Sequence, residues 1–156
     1  MAYPNNYNNK TQQRQNDPTM EYNAEWASQT IEKRDLPTDY VDEAERVIRR
    51  LKGNRSVISI TKLRNLFSMA SEISSIEKLK SGDVLSEEGY AQMLMMRIRM
   101  VYEAGREESV KTFLREAKLL EYLKGVGNNR KKMLNYTQYM EALVAYYRFL
   151  IGGKEK

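Results

Sequence analysis

The stretch from Ser86 to Glu107, SEEGYAQMLMMRIRMVYEAGRE, says most about how this chain folds. Its middle part is a nearly continuous apolar run, interrupted between Tyr90 and Tyr102 only by Gln92, Arg97 and Arg99. A surface helix carries one apolar stripe with a period of about 3.6 residues, whereas apolar side chains here occur on most sides of the helix. We therefore predict a central helix that the rest of the chain covers on most sides.

Helical periodicity predicts four more helices around this one. Proline or small polar residues precede several of them, and glycine follows most of their ends, as helix capping favours. Their predicted bounds are Pro37 to Gly53, Ser59 or Thr61 to about Lys80, Glu107 to Gly125, and about Met133 to Ile151. No window shows the alternation of apolar and polar residues that is typical of strands. The predicted fold class is all-α, a compact bundle of about five helices with short connections.

The first 19 residues, MAYPNNYNNKTQQRQNDPT, are dominated by Asn and Gln and contain almost nothing to bury. Such a segment cannot offset the entropy that it would lose on ordering. We therefore predict a disordered Asn/Gln-rich N-terminal tail. The predicted domain organisation is a flexible N-terminal extension over residues 1–35 and a single helical domain over residues 36–153.

Composition limits the functions open to this chain. Its 156 residues suit one folded domain. No apolar run approaches the ~18 residues of a membrane span, and the N-terminus shows no charged region followed by an apolar one. We therefore expect neither a membrane span nor a secretory signal, and no membrane association. The chain contains no Cys, which fits a reducing compartment, and we expect it in the cytoplasm. Because it also lacks His, the usual general base, thiol nucleophile and metal ligands are missing.

Carboxylates are the remaining candidates for catalysis, for example in a metal-dependent nuclease. Two pairs qualify, Glu103 with Glu107 and Glu87 with Glu88. The helix dipole favours acids in a first turn, and Glu103 is within pairing distance of Arg99 and Arg106, so structural roles explain both pairs. No Gly-rich phosphate-binding motif is present. We predict that the chain is not an enzyme and has no catalytic residues, no metal site and no cofactor.

The positive charge is concentrated in the predicted folded part. The whole chain has a formal net charge of +5, but residues 38–156 contain 22 Lys and Arg against 16 Asp and Glu, a net charge of +6. A basic domain favours a polyanionic partner, and nucleic acid is the first candidate.

The segment TKLRNL, from Thr61 to Leu66, places Lys62, Arg64 and Asn65 at the start of the second predicted helix. Cations at a helix N-terminus oppose the helix dipole, so local stability disfavours them. Together with the free backbone N–H groups, Lys62 and Arg64 would form a phosphate site. The alternative is that this first turn is simply solvated.

Further basic residues extend the set of candidates. Arg97 and Arg99 lie in the most apolar helix, where each needs a carboxylate partner or faces a ligand. Arg106 either pairs with Glu103 or faces the same ligand. Arg55 and Arg130 are loop charges and are secondary candidates for nonspecific contact with nucleic acid. The tyrosines with helical spacing are interpreted as core residues rather than base-stacking platforms: Tyr136, Tyr139, Tyr146 and Tyr147.

Four motifs then give a family resemblance. They are TDYVDEAERVI (Thr38 to Ile48), ITKLRNLFS (Ile60 to Ser68), VYEAGREESVKTFL (Val101 to Leu114) and YMEALVAYYRF (Tyr139 to Phe149). In this order and spacing they resemble the small all-helical subunit of type III-A CRISPR effector complexes, the Csm kind. The resemblance covers roughly residues 36–153 and implies nothing for residues 1–35.

This resemblance implies a noncatalytic RNA-binding structural subunit that acts in antiviral defence. Several copies would stack head to tail beside the filament of backbone subunits that carries the guide RNA. The implied partners are guide RNA, target RNA, the backbone filament and large subunit, and further copies of itself, while cleavage belongs to other subunits. The alternative function is a helical protein–protein assembly adaptor without direct RNA contact.

The resemblance also assigns residues to the RNA contact. Lys62, Arg64 and Asn65 match the motif at the start of the second helix, and Arg97 and Arg106 match recurrent basic positions. Arg99 matches a position that is less regularly basic. Contacts to phosphate and sugar would make recognition independent of sequence, as a subunit that serves any guide requires.

Overall fold

The computed structural model describes residues 18–54 and 56–152. It contains α1 (Pro18–Ser28), α2 (Tyr40–Lys52), α3 (Ile60–Glu77), α4 (Glu87–Arg106), α5 (Glu108–Ala117), α6 (Leu119–Val126) and α7 (Arg130–Leu150). Within these residues the only β-pairing is an isolated bridge between Val84 and Asn129. The prediction of an all-α fold is therefore confirmed. The Asn/Gln-rich tail predicted at the N-terminus falls mostly outside the described residues.

The chain divides into two units, and the boundary lies between Thr30 and Ile31. The first unit contains α1, a helix that the apolar periodicity did not predict. The second contains α2 to α7 and begins with an extended segment along α6, where the Arg34 N–H donates to the Glu121 carbonyl at 3.0 Å. The predicted boundary between residues 35 and 36 stays a prediction. No helix among the described residues is long and apolar enough to cross a membrane.

The helix around which the second unit is built is α7. It packs against α2, α3 and α6. Its buried side chains include three of the tyrosines expected in the core, and these are Tyr136, Tyr139 and Tyr147, while Tyr146 is half-buried. The core role predicted for those three is confirmed. The prediction that the segment from Ser86 to Glu107 forms the central helix is wrong, because α7 takes that place.

Only one face of α4 is covered by the described chain. That face packs against α3 and α5 through Gly89, Met93, Met96, Met100 and Ala104. The opposite face, called here the outer face of α4, consists of Tyr90, Leu94, Met95, Ile98, Val101 and Tyr102, and these side chains are between 39% and 63% exposed. The predicted cover on most sides is therefore wrong for the part of the chain described.

A left-handed residue divides the predicted fourth helix into α5 and α6. Lys118 has φ 54° and ψ 38°, which ends α5 and begins α6. Two buried tyrosines of α7 bind the carbonyls beside this break: the Tyr139 hydroxyl donates to Ala117 at 2.8 Å, and the Tyr136 hydroxyl donates to Leu119 at 2.9 Å. Burial raises the pKa of both phenols, so they remain donors. The hydroxyls of these two core tyrosines therefore hold the backbone in place at the break between α5 and α6.

A buried ion pair fixes the start of α4. Glu77, at the end of α3, is fully buried, and its Oε2 accepts from Nε of Arg130 at 2.8 Å. The same carboxylate accepts from the Ser86 backbone N–H at 3.2 Å, while Arg130 also donates to the Gly82 carbonyl. A Cβ on Gly89 would collide with the carboxylate of Glu77, so a larger residue there would displace this buried ion pair. This network holds the end of α3 and the beginning of α7 against the beginning of α4.

Candidate nucleic-acid interface

A cleft of about 360 Å³ lies where the first turns of α3 meet the last turns of α4. It brings together four of the six residues predicted as primary RNA contacts, namely Lys62, Asn65, Arg99 and Arg106. Glu103 shares the cleft, and Leu66, Met69 and Val110 supply apolar lining. The cleft combines cations from two helices that are distant in sequence.

Capping and burial explain how α3 presents its polar side chains. Ser59 is the N-cap, and its hydroxyl accepts from the Lys62 backbone N–H at 3.2 Å. Leu63 and Leu66 are buried, so Lys62 and Asn65 lie toward solvent on the cleft side. The predicted cap at Ser59 or Thr61 is confirmed at Ser59.

Lys62 is paired with two carboxylates at the edge of the cleft. Its Nζ atom lies 2.7 Å from Oε1 of Glu107 and 3.3 Å from Oε2 of Glu103. The hydrogen bond to Glu107 raises the pKa of Lys62 above its usual value, and Glu103 adds to this effect against the opposing cost of burial. Lys62 is therefore a cation at neutral pH and has protein partners of its own.

Glu103 is the common neighbour of the three cations. Its Oε1 lies 3.8 Å from Nη1 of Arg99 and 4.0 Å from Nη1 of Arg106, which are ion-pair distances longer than a direct hydrogen bond. The side chains of both arginines are more than half exposed. The cluster contains three cations, and its two carboxylates are those of Glu103 and Glu107. Its net charge is therefore +1. The two arginines can thus turn to an anionic ligand at little cost.

Tyr102 is a residue of this region that the sequence interpretation missed. The guanidinium carbon of Arg106 lies 5.7 Å from the centre of its ring, within cation–π distance. Tyr102 is 56% exposed, so its ring is open to stacking. The signal in the sequence was its spacing of four residues from Arg106, which puts both on one side of a helix.

Two of the primary candidates lie outside the cleft. Arg64 is exposed on α3 but is not part of the cleft lining. Arg97 is half-buried and lies about 200° around α4 from Arg99, so the two arginines face different directions. Their predicted RNA contacts stay predictions and would require a surface wider than the cleft.

Of the two secondary candidates, Arg130 falls within the described residues. Arg55 lies outside the described residues. Arg130 is buried and its guanidinium binds Glu77 and Gly82. The interpretation of Arg130 as a loop charge is therefore wrong: it is the first residue of α7, and its buried guanidinium holds the helices together.

The carboxylates considered for catalysis have structural partners or lie on the surface. Glu103 and Glu107 bind Lys62, while Glu87 and Glu88 are exposed in the first turn of α4. Within residues 18–54 and 56–152, no group of three or more His, Cys, Asp and Glu side chains is arranged to hold a metal ion. The geometry of these residues resembles ion pairing rather than metal binding.

An apolar groove of about 580 Å³ runs on from the cleft along α4. The two share Met69 and Arg99, and the groove is also lined by Met95, Ile98 and Tyr102 of the outer face. The basic cleft and the outer face of α4 are therefore neighbouring surfaces.

Comparison with known proteins identifies the family. The model of the Csm2 type III-A family matches residues 34–153. Three relatives are each named CRISPR system Cms protein Csm2. The one from Mycobacterium tuberculosis (strain CDC 1551 / Oshkosh) is 41% identical over 117 residues, which is 74% of this chain and 94% of the relative.

The relative from Streptococcus thermophilus is 37% identical over 121 residues, covering 75% of this chain and 94% of its own length. The one from Enterococcus italicus is 30% identical over 115 residues, covering 67% and 82%. The family match over residues 34–153 includes all four sequence motifs. Together with the relatives it confirms the predicted resemblance. The chain therefore belongs to the Csm2 family of type III-A CRISPR systems.

Proposed function

We propose that this chain is a noncatalytic, cytoplasmic RNA-binding subunit of a type III-A CRISPR effector complex. It contacts the duplex of guide RNA and target RNA, associates with the backbone filament and the large subunit, and stacks with further copies of itself. The observation that carries the proposal is the cleft that gathers Lys62, Arg99 and Arg106 beside Asn65.

The chemistry of the cleft fits a sugar-phosphate backbone. Guanidinium groups bind phosphate oxygens in a bidentate manner, and the Asn65 amide supplies both a donor and an acceptor for a ribose hydroxyl. These groups recognise features that every RNA sequence shares. A subunit that serves many guides needs this kind of contact, and the +6 charge of residues 38–156 supports it.

The noncatalytic part of the proposal rests on the chemical inventory of the chain. It contains neither His nor Cys, and the Glu103 and Glu107 carboxylates are engaged by Lys62. Incubation of the purified full chain with labelled RNA and Mg²⁺ should therefore leave the RNA intact. Metal-dependent cleavage that survives repurification, and that is lost in Glu103→Gln, would show a nuclease instead.

RNA contact is tested in the complex reconstituted with guide RNA. We expect Lys62→Ala combined with Arg99→Ala to weaken target-RNA binding about tenfold, since two exposed charge contacts contribute about 0.5–1 kcal/mol each. The slope of log affinity against log salt should fall by about 2, one unit for each lost phosphate contact.

The matched control removes the same charge elsewhere. Lys78→Ala combined with Lys80→Ala changes two exposed cations just beyond the other end of α3, about 27 Å from its first turn. This control should keep both the affinity and the salt slope. Equal behaviour of the two variants would remove the cleft from the RNA contact.

A second candidate function is an assembly adaptor without direct RNA contact. The exposed outer face of α4 favours it, because contiguous apolar patches of this kind mark protein interfaces. The variant that combines Lys62→Ala with Arg99→Ala distinguishes the two functions. Normal assembly with unchanged target-RNA binding would favour the adaptor, whereas normal assembly with weakened binding favours the RNA-binding subunit.

A further inference from the structure

The apolar groove beside the cleft has polar side chains that the proposed function does not use. It lies between α3 and α4, and its volume of about 580 Å³ is typical of small-molecule sites. Glu72 of α3 and Gln92 of α4 line it, as does Arg99, which it shares with the cleft. The groove therefore offers a carboxylate, an amide and a guanidinium group around an apolar middle.

The course of the two helices places these polar groups at opposite ends. The end of α3 is bound to the beginning of α4, so the helices run in opposite directions, and Lys62 pairs with Glu103 at the other end. Counting from this pair toward the middle of each helix places Glu72 across from Gln92. Arg99 lies two turns, about 10 Å, further along α4.

Methionine side chains form the middle of the groove. Met96 is buried and forms part of the floor, whereas Met69 and Met95 are at least partly exposed beside it. Methionine fills irregular spaces, and its sulfur makes favourable contacts with aromatic rings. The middle of the groove therefore suits a flat aromatic ring whose edge can reach Glu72 and Gln92.

We propose that this groove binds a guanine nucleotide. The base lies on the methionines, and its phosphate accepts from the Arg99 guanidinium. The N1–H and the 2-amino group of guanine donate to the two carboxylate oxygens of Glu72, while the Gln92 amide donates to O6. An extended nucleotide carries its phosphate and this base edge at opposite ends, as the distance between Gln92 and Arg99 requires.

The same groups discriminate against the other bases. Adenine and cytosine present one donor group at this edge, where guanine presents two. The single ring of a pyrimidine also covers less of the methionine floor. Guanine is therefore the base that satisfies both Glu72 and Gln92.

This site goes beyond the function proposed above, because the cleft takes any sugar-phosphate whereas the groove reads a base. A free nucleotide or an unpaired guanosine of a bound RNA supplies the same chemistry, since the groove and the cleft share Arg99. A guanosine paired with the guide RNA does not qualify, because its base edge is already occupied. Recognition of the duplex thus stays independent of sequence.

The first test titrates guanosine monophosphate (GMP) into the full-length chain with ¹³C-labelled methionine methyl groups. The ring current of a bound purine should shift the NMR signals of Met69, Met95 and Met96, whereas Met133 and Met140, buried in α7, should keep theirs. Cytidine monophosphate (CMP) should bind about tenfold more weakly, because it lacks the bidentate contact. Guanosine without phosphate should also bind more weakly, since it cannot engage a guanidinium as an anion does.

Glu72→Gln tests the base contact. Its amide has one oxygen for the two donors of guanine, so GMP should bind about tenfold more weakly and no better than CMP. The fold should persist, because Glu72 is exposed. Glu88→Gln is the control: it removes the same charge from the exposed first turn of α4, outside the groove, and should keep the preference for GMP.

The second test identifies the source of the guanine in the complex reconstituted with guide RNA. Target RNAs with one unpaired guanosine, at successive positions, are compared with RNAs that have an unpaired cytidine there. Tighter binding of the guanosine RNAs that disappears in Glu72→Gln would support the site and assign it to RNA. Equal binding of both sets, with the methionine shifts by GMP retained, would support the site and assign it to a free nucleotide.

The proposal is wrong if GMP shifts none of the groove methionines, or if GMP and CMP bind equally well. It is also wrong if Glu72→Gln, with native circular dichroism, keeps the preference for GMP. These outcomes are separate from a failure of the proposed RNA contact, which is measured with fully paired target RNA. Glu72 is not part of the cleft lining, so Glu72→Gln should leave the affinity for that RNA unchanged.

Discussion

The Nζ atom of Lys62 lies 2.7 Å from Oε1 of Glu107, and this ion pair joins the first turn of α3 to the end of α4. It explains how a cation is tolerated at a helix N-terminus, where the dipole disfavours it. The carboxylates that stabilise Lys62 also limit what an RNA can gain from it. The proposed RNA binding at this cleft would therefore be an exchange of partners, with phosphate replacing carboxylate.

Glu103 is the residue at which this exchange can be measured. Glu103→Gln removes the carboxylate that neighbours Lys62, Arg99 and Arg106, and it raises the net charge of the cleft by one. We expect target-RNA binding by the reconstituted complex to tighten severalfold, since the change corresponds to about 0.5–1 kcal/mol for a partly exposed charge. Fluorescence anisotropy with labelled target RNA provides the measurement.

Glu141→Gln is the matched control for this change, because Glu141 is exposed on α7 and is not part of the cleft lining. It should leave the affinity unchanged. Weaker binding by Glu103→Gln, with assembly intact, would mean that Glu103 orients the cations for RNA instead of competing with it.

Arg64 tests whether the RNA-binding surface extends past the cleft. Lys62→Ala should lower the salt slope of RNA binding by about 1, and Lys62→Ala combined with Arg64→Ala should lower it by about 2. The fold should persist in both, since both side chains are at least partly exposed. Identical slopes for the single and double variants would leave Arg64 out of the surface.

The buried pair of Glu77 and Arg130 predicts a specific loss of stability. Glu77→Gln should lower the free energy of unfolding by about 3–5 kcal/mol, because it leaves a buried guanidinium without its counter-charge. Arg130→Met should cost a similar amount, and the double variant should cost less than the sum. Denaturant unfolding followed by circular dichroism measures all three, and additive losses would show that the two residues act independently.

The same pair predicts how stability depends on pH. Burial alone would raise the pKa of Glu77, but hydrogen bonds from Ser86 and Arg130 outweigh it and leave the pKa below its usual 4.5. A carboxyl with a depressed pKa stabilises the fold above its unfolded pKa, and this contribution is lost as the pH falls through the folded pKa. The native chain should therefore lose stability below about pH 4.5 more steeply than Glu77→Gln does. Parallel acid profiles would contradict this.

At Lys118 a substitution is predicted to raise the free energy of unfolding. Its left-handed backbone costs a residue with a Cβ atom about 1–2 kcal/mol. Lys118→Gly should therefore stabilise the chain by about 1 kcal/mol, after the greater entropy of glycine in the unfolded chain is allowed for. Lys118→Ala, which keeps the Cβ atom, serves as the control and should change stability by less than about 0.5 kcal/mol. A destabilised glycine variant would mean that the Lys118 side chain itself supports the break.

Local patterns predicted most helix bounds in the second unit. Periodicity located α2, α3 and α4 to within a few residues, since Gly53 follows the end of α2 and Ser59 and Ser86 cap the starts of α3 and α4. The break at Lys118 could not be predicted, because it depends on the hydroxyls of Tyr136 and Tyr139, which reach it only in the folded chain. The helix propensity of the residues around Lys118 carries no information about partners so far away in the sequence.

The role of α4 was misjudged for a related reason. The spacing of residues shows that this helix is apolar on most sides. It does not show whether the side chains that pack on those sides come from the same chain or from a partner. Met95 and Ile98 are as apolar as Met96 and Met100, yet only the second pair is buried within the described residues. In a protein that assembles with partners, an apolar side chain can be reserved for an interface.

The candidate site was predicted in part. Helix spacing and the family motifs selected Lys62, Asn65, Arg99 and Arg106, and the fold brings these four into one cleft. The burial of Arg130 could not be read from the sequence, since its partner Glu77 lies 53 positions away and is itself buried only after folding. A partner three or four residues away on the same helix, such as Glu103 for Arg99 and Arg106, can be predicted from the sequence. A partner on another helix cannot.

The most direct measurement of the central claim is the structure of the assembled effector complex with target RNA bound. We predict a phosphate oxygen within hydrogen-bond distance of Arg99 or Arg106, and the Glu103 carboxylate displaced from at least one of them. A complex in which the cleft holds no RNA, with Lys62 still bound to Glu103 and Glu107, would contradict the account.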